Sequence, residues 1–266
     1  MKIQTAGIFA RKSVSTSVVS SLAVRFRNAG VEFFEDLRTV GELSKELDLV
    51  IALGGDGTVI RALKFWPGVP VLAVNFGHVG FLSQCDGCDL LNAADRVLDG
   101  KCEIEERLAL DVTYKDQCFR CINEVVVRGG TRMIVVDVSI DGKLVQSPRG
   151  DGVIVGTPTG STAYLLSTGG PLVTPKVDCI LIQPLNEHNL SSRTVIVPGD
   201  VPIELKTWKD HRLMGKEEIG MSIDGQERLP LRGGESIQIR RSAQPVRLVT
   251  LEGDCFFKNL RQRLHW

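Results

Sequence analysis

The chain has 266 residues, of which 43% are hydrophobic, so it is long enough to bury one large or two modest cores. Its 32 Lys and Arg residues balance 32 Asp and Glu residues, and no long run of like charge occurs. This pattern argues against a nucleic-acid groove and against a basic membrane-binding face. The longest apolar runs are strand-sized and the N-terminus lacks a signal pattern, so we expect a cytoplasmic protein with no membrane partner.

The N-terminal part of the sequence alternates strand and helix patterns. Runs of Val, Leu and Ile are typical of parallel strands that are covered on both faces. We therefore predict a doubly wound α/β domain over residues 1–100. The expected elements are a strand over Ile3–Ala10, a helix over Ser15–Asn28, strands at Val31–Phe34, Leu47–Leu53 and Val69–Val74, and a helix over Leu90–Leu98. Residues 38–45 are too polar for an element to be assigned.

Residues 101–245 show period-two alternation and are predicted to form a second, strand-rich domain. Three dipeptides indicate hairpins: Asp141-Gly142, Asp224-Gly225 and Gly233-Gly234. One helix is expected from near Ser161 to Ser167. The tail, residues 246–266, is expected to contain a last helix over Cys255–Trp266, with Phe256, Phe257, Leu260 and Leu264 on one face.

Seven cysteines occur at irregular spacing, which fits reduced thiols better than a disulfide framework. Two C-x-x-C pairs, Cys85/Cys88 and Cys118/Cys121, would allow a zinc site. However, the segment between them is longer than in a zinc ribbon. Cys118 and Cys121 also lie three residues apart in a strand-like run, so they are expected on opposite faces. We favour buried or incidental thiols and predict no metal bound by protein ligands.

The glycine-rich turn Gly54-Gly55-Asp56-Gly57-Thr58 follows a buried strand and precedes the helical stretch Val59–Phe65. Glycines at a strand end let backbone N–H groups approach a ligand, and a helix N-terminus favours negative charge. We predict that Gly54, Gly55, Gly57 and Thr58 bind phosphate. A carboxylate beside phosphates is repelled unless it accepts a proton, binds a metal or bonds a hydroxyl, so Asp56 points to catalysis. The alternative is a plain turn with Asp56 as a helix cap.

A second polar segment, Gly150–Tyr164, places glycines and hydroxyls between a strand and a helix start. A capping turn needs only one hydroxyl, whereas this segment offers several short donors and acceptors. Sugar hydroxyls, an adenine edge or phosphates would suit such a turn. We therefore predict a ligand here as well.

Taken in order, these motifs resemble those of the NAD kinases along the whole chain. Diacylglycerol and sphingosine kinases and phosphofructokinases carry similar glycine-aspartate turns, but the other motifs in this order are similar to those of NAD kinases. The matching stretches are Gly54–Thr58, Asn75–Leu82, Asn123–Val127, Asp151–Tyr164 with Ser167–Pro171, His188–Arg193 and Asp224–Gln226.

The resemblance implies transfer of the γ-phosphoryl group of ATP, brought with Mg²⁺ or another divalent cation, to the 2′-hydroxyl of the adenosine ribose of NAD. It implies that Asp56 is the general base. It also implies that the tail returns to the N-terminal domain and that the protein is a homodimer or homotetramer. The NAD-binding residues it implies are Asp56, Gly57, Arg61, Asn123, Glu124, Arg132, Arg149, Asp151, Thr162, Ala163, Tyr164, Ser167 and Gln226.

Several alternatives remain open. Arg61, Arg132 and Arg149 suit phosphate oxygens, yet each is also compatible with a solvated surface arginine. A lipid or sugar kinase would share only the glycine-aspartate turn, and a nucleotide sensor would share the fold without turnover. The sequence does not decide between ATP and polyphosphate as donor, or between NAD and NADH as acceptor.

Overall fold

The computed structural model describes residues 2–39, 47–77, 80–189, 192–208, 219–251, 253 and 255–264. Part of the polar 38–45 stretch, the motif residues His78, Val79, Leu190 and Ser191, and the last two residues lie outside these ranges. The chain divides into two compact units, Met1–Arg107 with Pro245–Trp266, and Leu108–Gln244. We call them the first and the second unit. Within the described ranges, every helix is too short or too polar to cross a membrane.

The elements are numbered in chain order. The α-helices are α1 (Thr16–Asn28), α2 (Asp56–Phe65), α3 (Leu90–Leu98), α4 (Tyr164–Ser167) and α5 (Phe256–Leu264), and short 3-10 helices cover Gly87–Asp89 and Thr159–Thr162. The strands are β1 (Thr5–Ala10), β2 (Glu32–Phe34), β3 (Leu49–Leu53), β4 (Val71–Asn75), β5 (Cys85–Asp86), β6 (Glu103–Arg107), β7 (Leu110–Tyr114), β8 (Gln117–Cys121), β9 (Glu124–Arg128), β10 (Ile134–Ile140), β11 (Lys143–Gln146), β12 (Arg149–Gly150), β13 (Gly152–Gly156), β14 (Cys179–Leu185), β15 (Val195–Pro198), β16 (Ile203–Thr207), β17 (Ile219–Ile223), β18 (Glu227–Leu231), β19 (Ser236–Arg241) and β20 (Val246–Thr250).

The first unit is built on one mostly parallel sheet in the order β2-β1-β3-β4-β20-β6, with β5 beside β4. Every residue of β3 and β4 is buried, as expected for parallel strands that are covered on both faces. β20 runs parallel to β4 and antiparallel to β6, so the last strand of the chain lies inside the sheet that the first strands begin. The predicted α/β class is confirmed.

Amphipathicity explains how α1 and α3 pack into the core of the first unit. The Ser15 hydroxyl caps α1 by accepting a hydrogen bond from the Ser17 N–H at 3.3 Å. Leu22, Ala23 and Phe26 form the buried stripe of α1, and the Phe26 ring stacks on Phe33 with centroids 4.8 Å apart. The buried residues of α3 follow the same spacing: Leu90, Ala93, Ala94 and Val97.

The second unit is a β-sandwich. One sheet has the order β11-β10-β16-β19-β7-β8, with β12 beside β10, and the other has the order β15-β14-β13-β9-β17-β18. A single core joins their inner faces, with Val112, Val136 and Leu205 from the first sheet and Val125 and Val153 from the second. The strand-rich character predicted for this part of the chain is confirmed.

Two of the three predicted hairpins are confirmed. Asp141-Gly142 joins β10 to β11 and Asp224-Gly225 joins β17 to β18, with positive φ at all four residues. The prediction for Gly233-Gly234 was wrong, because this turn connects β18 in one sheet to β19 in the other. The glycines mark a chain reversal, but the strands that flank them pair with other partners.

The helix expected from Ser161 to Ser167 is split. A 3-10 turn over Thr159–Thr162 precedes the single α-turn of α4, because Ala163 between them has φ −102° and ψ −126°. In α5 the predicted apolar face is partly wrong: Phe256 and Leu260 are buried, but Phe257 is 61% exposed. Asn259 takes the buried position instead, and its amide donates to the carbonyls of Phe81 and Ser83 at 3.3 and 3.2 Å. These bonds attach the tail to the first unit.

The cysteines that the structure describes are free thiols. Cys118 is exposed while Cys121 is buried, because residues three apart in β8 face opposite sides of the strand. Within the described ranges, no three His, Cys, Asp or Glu side chains form a group suited to a metal ion.

Candidate active site

The glycine turn of the first unit sits between the end of β3 and the start of α2. Gly54 donates its N–H to the Val74 carbonyl at 3.0 Å, so the turn begins at the edge of the sheet beside β4. Gly55 is the N-cap residue of α2. Thr58 is buried and packs so closely on Gly54 that a Cβ at residue 54 would overlap its hydroxyl. Gly57 is exposed, which leaves the outer side of the turn open to a ligand.

Asp56 is the first residue of α2, one position later than a helix cap. Its two carboxylate oxygens accept backbone hydrogen bonds from the loop that follows β4: Phe81 N–H lies 2.9 Å from Oδ2 and Leu82 N–H lies 3.2 Å from Oδ1. Gly80 approaches so closely that a Cβ there would overlap the carboxylate. Asp56 is therefore held by a neighbouring loop, and the capping alternative is wrong.

Arg61 lies one turn further along α2 and is exposed. Its guanidinium is placed over the Phe9 ring, 5.8 Å from the centroid. Arg61 is on the same helix as Asp56, and this contact places its side chain against the end of β1.

Asn123 and Glu124 lie at the start of β9 in the second unit, and the structure holds their backbone from two sides. Thr157 donates its N–H to the Asn123 carbonyl at 2.9 Å and its hydroxyl to the Ile122 carbonyl at 2.6 Å. The carboxylate of Asp224 accepts from the Asn123 N–H at 2.7 Å. This arrangement brings together the Asn-Glu pair, the hydroxyl-rich segment and the Asp224-Gly225 hairpin.

Glu124 is only 6% exposed, and one of its carboxylate oxygens has no hydrogen-bond partner among the residues described. Burial and, to a smaller extent, the Asp224 carboxylate raise the pKa of Glu124 to about 7, although a backbone hydrogen bond from Tyr164 opposes both effects. A buried carboxyl with one unsatisfied oxygen is a natural acceptor for a ligand hydroxyl.

A cavity of about 820 Å³ opens beside Glu124 on the outer face of the β9-β17-β18 sheet. Tyr164 and Gly225 line it together with Glu124, and Arg128 and Arg228 bring positive charge to its wall. Its volume falls within the range of small-molecule and cofactor pockets.

The hydroxyl-rich segment runs beside the Asn-Glu pair. Gly160 passes so close to Asn123 that a Cβ there would overlap its backbone. Thr162 and Ala163 are half-buried, whereas Tyr164 and Ser167 are exposed. The Ser167 hydroxyl donates to the Tyr164 carbonyl at 2.9 Å.

Three of the remaining predicted residues of the second unit, Arg132, Arg149 and Asp151, do not gather around Glu124. Gly156 pairs with Glu124, whereas Asp151 precedes the other end of β13, so the two carboxylates are roughly 15 Å apart along the strand. Arg149 and Arg132 are exposed near Asp151, whose carboxylate accepts from the Asn186 amide at 2.8 Å. Gln226 lies in the β17–β18 turn at the Glu124 end.

Sequence reasoning missed the structural partners of the site. Asp224 was part of a hairpin motif and Thr157 part of a polar run, but neither was selected as a site residue. An Asp before a Gly with positive φ is explained by the turn alone, so no local signal reports that its carboxylate reaches a strand 100 residues earlier.

A glycine turn that carries an anchored aspartate, together with a sandwich that presents a buried glutamate beside a cavity, defines a nucleotide-dependent phosphotransferase. Residues 7–102 match the ATP-NAD kinase N-terminal domain, and residues 122–251 match the ATP-NAD kinase C-terminal domain. The chain belongs to the ATP-NAD kinase family.

Individual proteins agree with this assignment. The chain is 42% identical over 228 residues to an NAD kinase of Symbiobacterium thermophilum, covering 82% of this chain and 79% of that protein. It is 35% identical over 266 residues to an NAD kinase of Gemmatimonas aurantiaca, covering 95% and 90%.

Two solved structures share the fold. Yeast NADH kinase complexed with NADH has a TM-score of 0.84 at 21% identity, covering all of this chain and 88% of that one. An NAD kinase from Archaeoglobus fulgidus in complex with ATP has a TM-score of 0.79 at 23% identity, covering 98% and 99%.

Proposed function

We propose that this protein transfers the γ-phosphoryl group of ATP to the 2′-hydroxyl of the adenosine ribose of NAD, giving NADP and ADP, with Asp56 as general base. The observation that carries the proposal is the Asp56 carboxylate, fixed by two backbone N–H groups on a phosphate-type turn in a member of the ATP-NAD kinase family.

The proposed chemistry is a single displacement. The ribose 2′-oxygen gives its proton to Asp56 as it forms a bond to the γ-phosphorus, and the bond from the γ-phosphorus to the bridging oxygen breaks, so that ADP leaves. An ionised carboxylate has about four acceptor positions. The bonds from Phe81 and Leu82 occupy two of them, which leaves capacity for the incoming hydroxyl.

The phosphates of ATP would lie on the turn of the first unit. Gly54, Gly55 and Gly57 allow backbone N–H groups to approach them, and Thr58 closes the first turn of α2, whose N-terminus favours negative charge. The donor is proposed as MgATP, with the cation held by phosphate oxygens and water. That cation would neutralise charge on the phosphoryl group being transferred.

NAD would be held mainly by the second unit. Asn123 supplies an amide to a base or ribose, and the Glu124 carboxylate accepts from a ribose diol. Thr162, Ala163, Tyr164, Ser167 and Gln226 belong to the same end of β13, whereas Arg132, Arg149 and Asp151 lie at its other end. Arg61 and Gly57 are proposed as contacts from the first unit.

The distance along β13 between the Asp151 group and the Glu124 group bears on how NAD lies in the site and on the oligomeric state. Because the Asp151 group and the Glu124 group are roughly 15 Å apart, they suit the two halves of an extended dinucleotide or the sites of neighbouring subunits. We propose a homodimer or homotetramer, located in the cytoplasm.

The proposal is tested with a donor-by-acceptor matrix that crosses ATP and polyphosphate with NAD and NADH, using an NADP-specific dehydrogenase to detect oxidised product and chromatography to detect NADPH. The expected result is NADP from MgATP and NAD. Asp56→Asn should lower kcat by roughly 10²- to 10⁴-fold while NAD binding measured by calorimetry changes little.

Asp99→Asn is the matched control, because Asp99 is an exposed aspartate of the same unit that pairs with Lys101 at 2.8 Å. It should keep wild-type turnover. Failure of the wild-type protein to phosphorylate either acceptor with either donor would overturn the proposed reaction. Full activity of Asp56→Asn would overturn only the role of Asp56.

A further inference from the structure

The Asn123-Glu124 segment and the Asp224 turn are distant in sequence but adjacent in the sheet. β9 and β17 pair in antiparallel fashion, with Val125 opposite Ile223. The end of β17 therefore lies beside the start of β9. Asp224 takes the first position of the turn with φ 50°, which directs its side chain to the loop before β9.

The Asp224 carboxylate accepts hydrogen bonds from three consecutive backbone N–H groups. Ile122 N–H lies 3.1 Å from both oxygens, Asn123 N–H lies 2.7 Å from Oδ1 and Glu124 N–H lies 3.3 Å from Oδ1. Asp224 in turn donates its own N–H to the Glu124 carbonyl at 2.9 Å. Hydrogen bonds to a charged acceptor are about twice as strong as neutral ones. The backbone of the Asn-Glu pair is thus tied to one side chain.

The opposite side of the same segment is closed by Thr157 and two glycines. Thr157 donates to the carbonyls of Ile122 and Asn123. At Gly156 and Gly160 a Cβ would overlap the Asn123 carbonyl, so the segment has no room to move towards β13. With N–H groups bonded on one side and carbonyls on the other, the orientation of the segment depends on Asp224.

We infer that Asp224 is a positioning residue for the reaction, whose carboxylate fixes the direction in which Asn123 and Glu124 present their side chains to NAD. This inference rests on the proposed function, in which that pair binds the dinucleotide. Binding groups must be held within a fraction of an ångström of their productive geometry. Loss of the Asp224 charge weakens the hydrogen bonds from all three N–H groups at once and lets the pair turn away from the ligand.

The test compares Asp224→Asn with Asp141→Asn. Both aspartates have φ 50° and precede a glycine in a hairpin turn, which has two residues at Asp141-Gly142 and three at Asp224-Gly225-Gln226. Asp141 lies in the β10–β11 turn, and its N–H donates to the Pro202 carbonyl. Asp224→Asn should raise KM for NAD and lower kcat/KM for NAD roughly 10- to 100-fold, with KM for ATP unchanged. Asp141→Asn should leave both KM values at wild type.

A second readout separates positioning from general damage to the fold. The Asp224 charge contributes to the raised pKa of Glu124, so Asp224→Asn should move the acid limb of the kcat/KM profile for NAD to lower pH. Among the residues that the structure describes, Arg120 on β8 and Arg128 and Arg228 on the cavity wall also bring charge near this pair. All three stay unchanged in the variant.

The outcomes are distinguishable. If wild-type protein forms no NADP, the proposed function fails. If wild-type protein turns over and Glu124→Ala loses NAD affinity while Asp224→Asn keeps wild-type KM and pH profile, the inference about Asp224 is overturned and the proposed function stands. Should Asp224→Asn not fold, Asp224→Glu keeps the charge but moves it, and an unchanged KM for NAD in that variant overturns the inference.

Discussion

Glu124 combines two properties that rarely occur together in a carboxyl group. It is almost completely buried, and one of its oxygens has no partner among the described residues, so ionisation there lacks the compensation that water would give. Burial and the neighbouring Asp224 carboxylate raise its pKa to about 7 from an ordinary value of 4.5. The pH dependence of the free energy of unfolding should therefore include a contribution from Glu124.

Between about pH 4.5 and 7 the folded state holds a proton on Glu124 that the unfolded state has lost, so the free energy of unfolding falls as pH rises through that window. Glu124→Gln removes this titration. The variant should gain stability relative to wild type between pH 4.5 and 8, by on the order of 3 kcal/mol. Urea unfolding at the two pH values measures the difference.

The exposed Glu103 on β6 provides the control for this measurement. Glu103→Gln should follow the wild-type pH dependence. A Glu124→Gln variant whose stability difference from wild type is the same at both pH values would contradict the burial argument.

At the residue scale, sequence reasoning finds groups whose neighbours are local. Asp56 could be selected because the glycines, the preceding strand and the following helix are contiguous with it. The N–H groups of Phe81 and Leu82 that hold it come from another loop, and the Asp224 carboxylate reaches Asn123 across the sheet. Such partners depend on the tertiary arrangement of loops and strands, which a local sequence pattern does not encode.

At the scale of elements, the two Asp-Gly hairpins can be compared directly. Gly142 and Gly225 both have positive φ, at 72° and 66°, and a Cβ at either would meet nothing within 4 Å. Only the Gly225 hairpin carries Asp224 and borders the cavity beside Glu124. The two turns have similar φ values at the Asp and Gly residues, but only the carboxylate of Asp224 accepts hydrogen bonds from the backbone of the Asn-Glu pair.

Gly142→Ala and Gly225→Ala should each lower the free energy of unfolding by about 1–2 kcal/mol, because an L-residue is strained at positive φ. Only Gly225→Ala should also raise KM for NAD, since its strain displaces Asp224. Thermal unfolding and steady-state kinetics on the same preparations test both statements. Equal KM values in the two variants would show that the β17–β18 turn has no part in NAD binding.

The failed element predictions share one cause. Gly233-Gly234 has the composition of a hairpin, yet β18 and β19 belong to different sheets, so pairing is decided by the sandwich and not by the turn. Likewise Phe257 has the right spacing for the buried face of α5, but Asn259 occupies that face because its amide satisfies two carbonyls of the 81–83 loop. In both cases tertiary contacts override a local pattern.

At the scale of the whole molecule, two separate segments of the chain form the sheet of the first unit. The chain leaves this sheet after β6 at Arg107 and returns at Pro245 to add β20 between β4 and β6. Until β20 is in place, β4 and β6 cannot join into one sheet, and the buried core residues Leu248 and Val249 are missing. The alternation of strand and helix patterns predicts β1 to β4, but it misses the short β5 and says nothing of this late insertion.

The register of β20 gives a direct test of that dependence. Val246 lies opposite Arg107 in the antiparallel pair, so a two-residue turn is long enough to connect them as a hairpin. A chain in which Asn-Gly replaces residues 108–245 should form the complete sheet and unfold cooperatively in urea. The fragment Met1–Arg107 alone lacks β20 and should show no cooperative transition. Cooperative unfolding of that fragment would mean that β20 is dispensable, and failure of the joined chain would mean that the first unit needs the sandwich in order to fold.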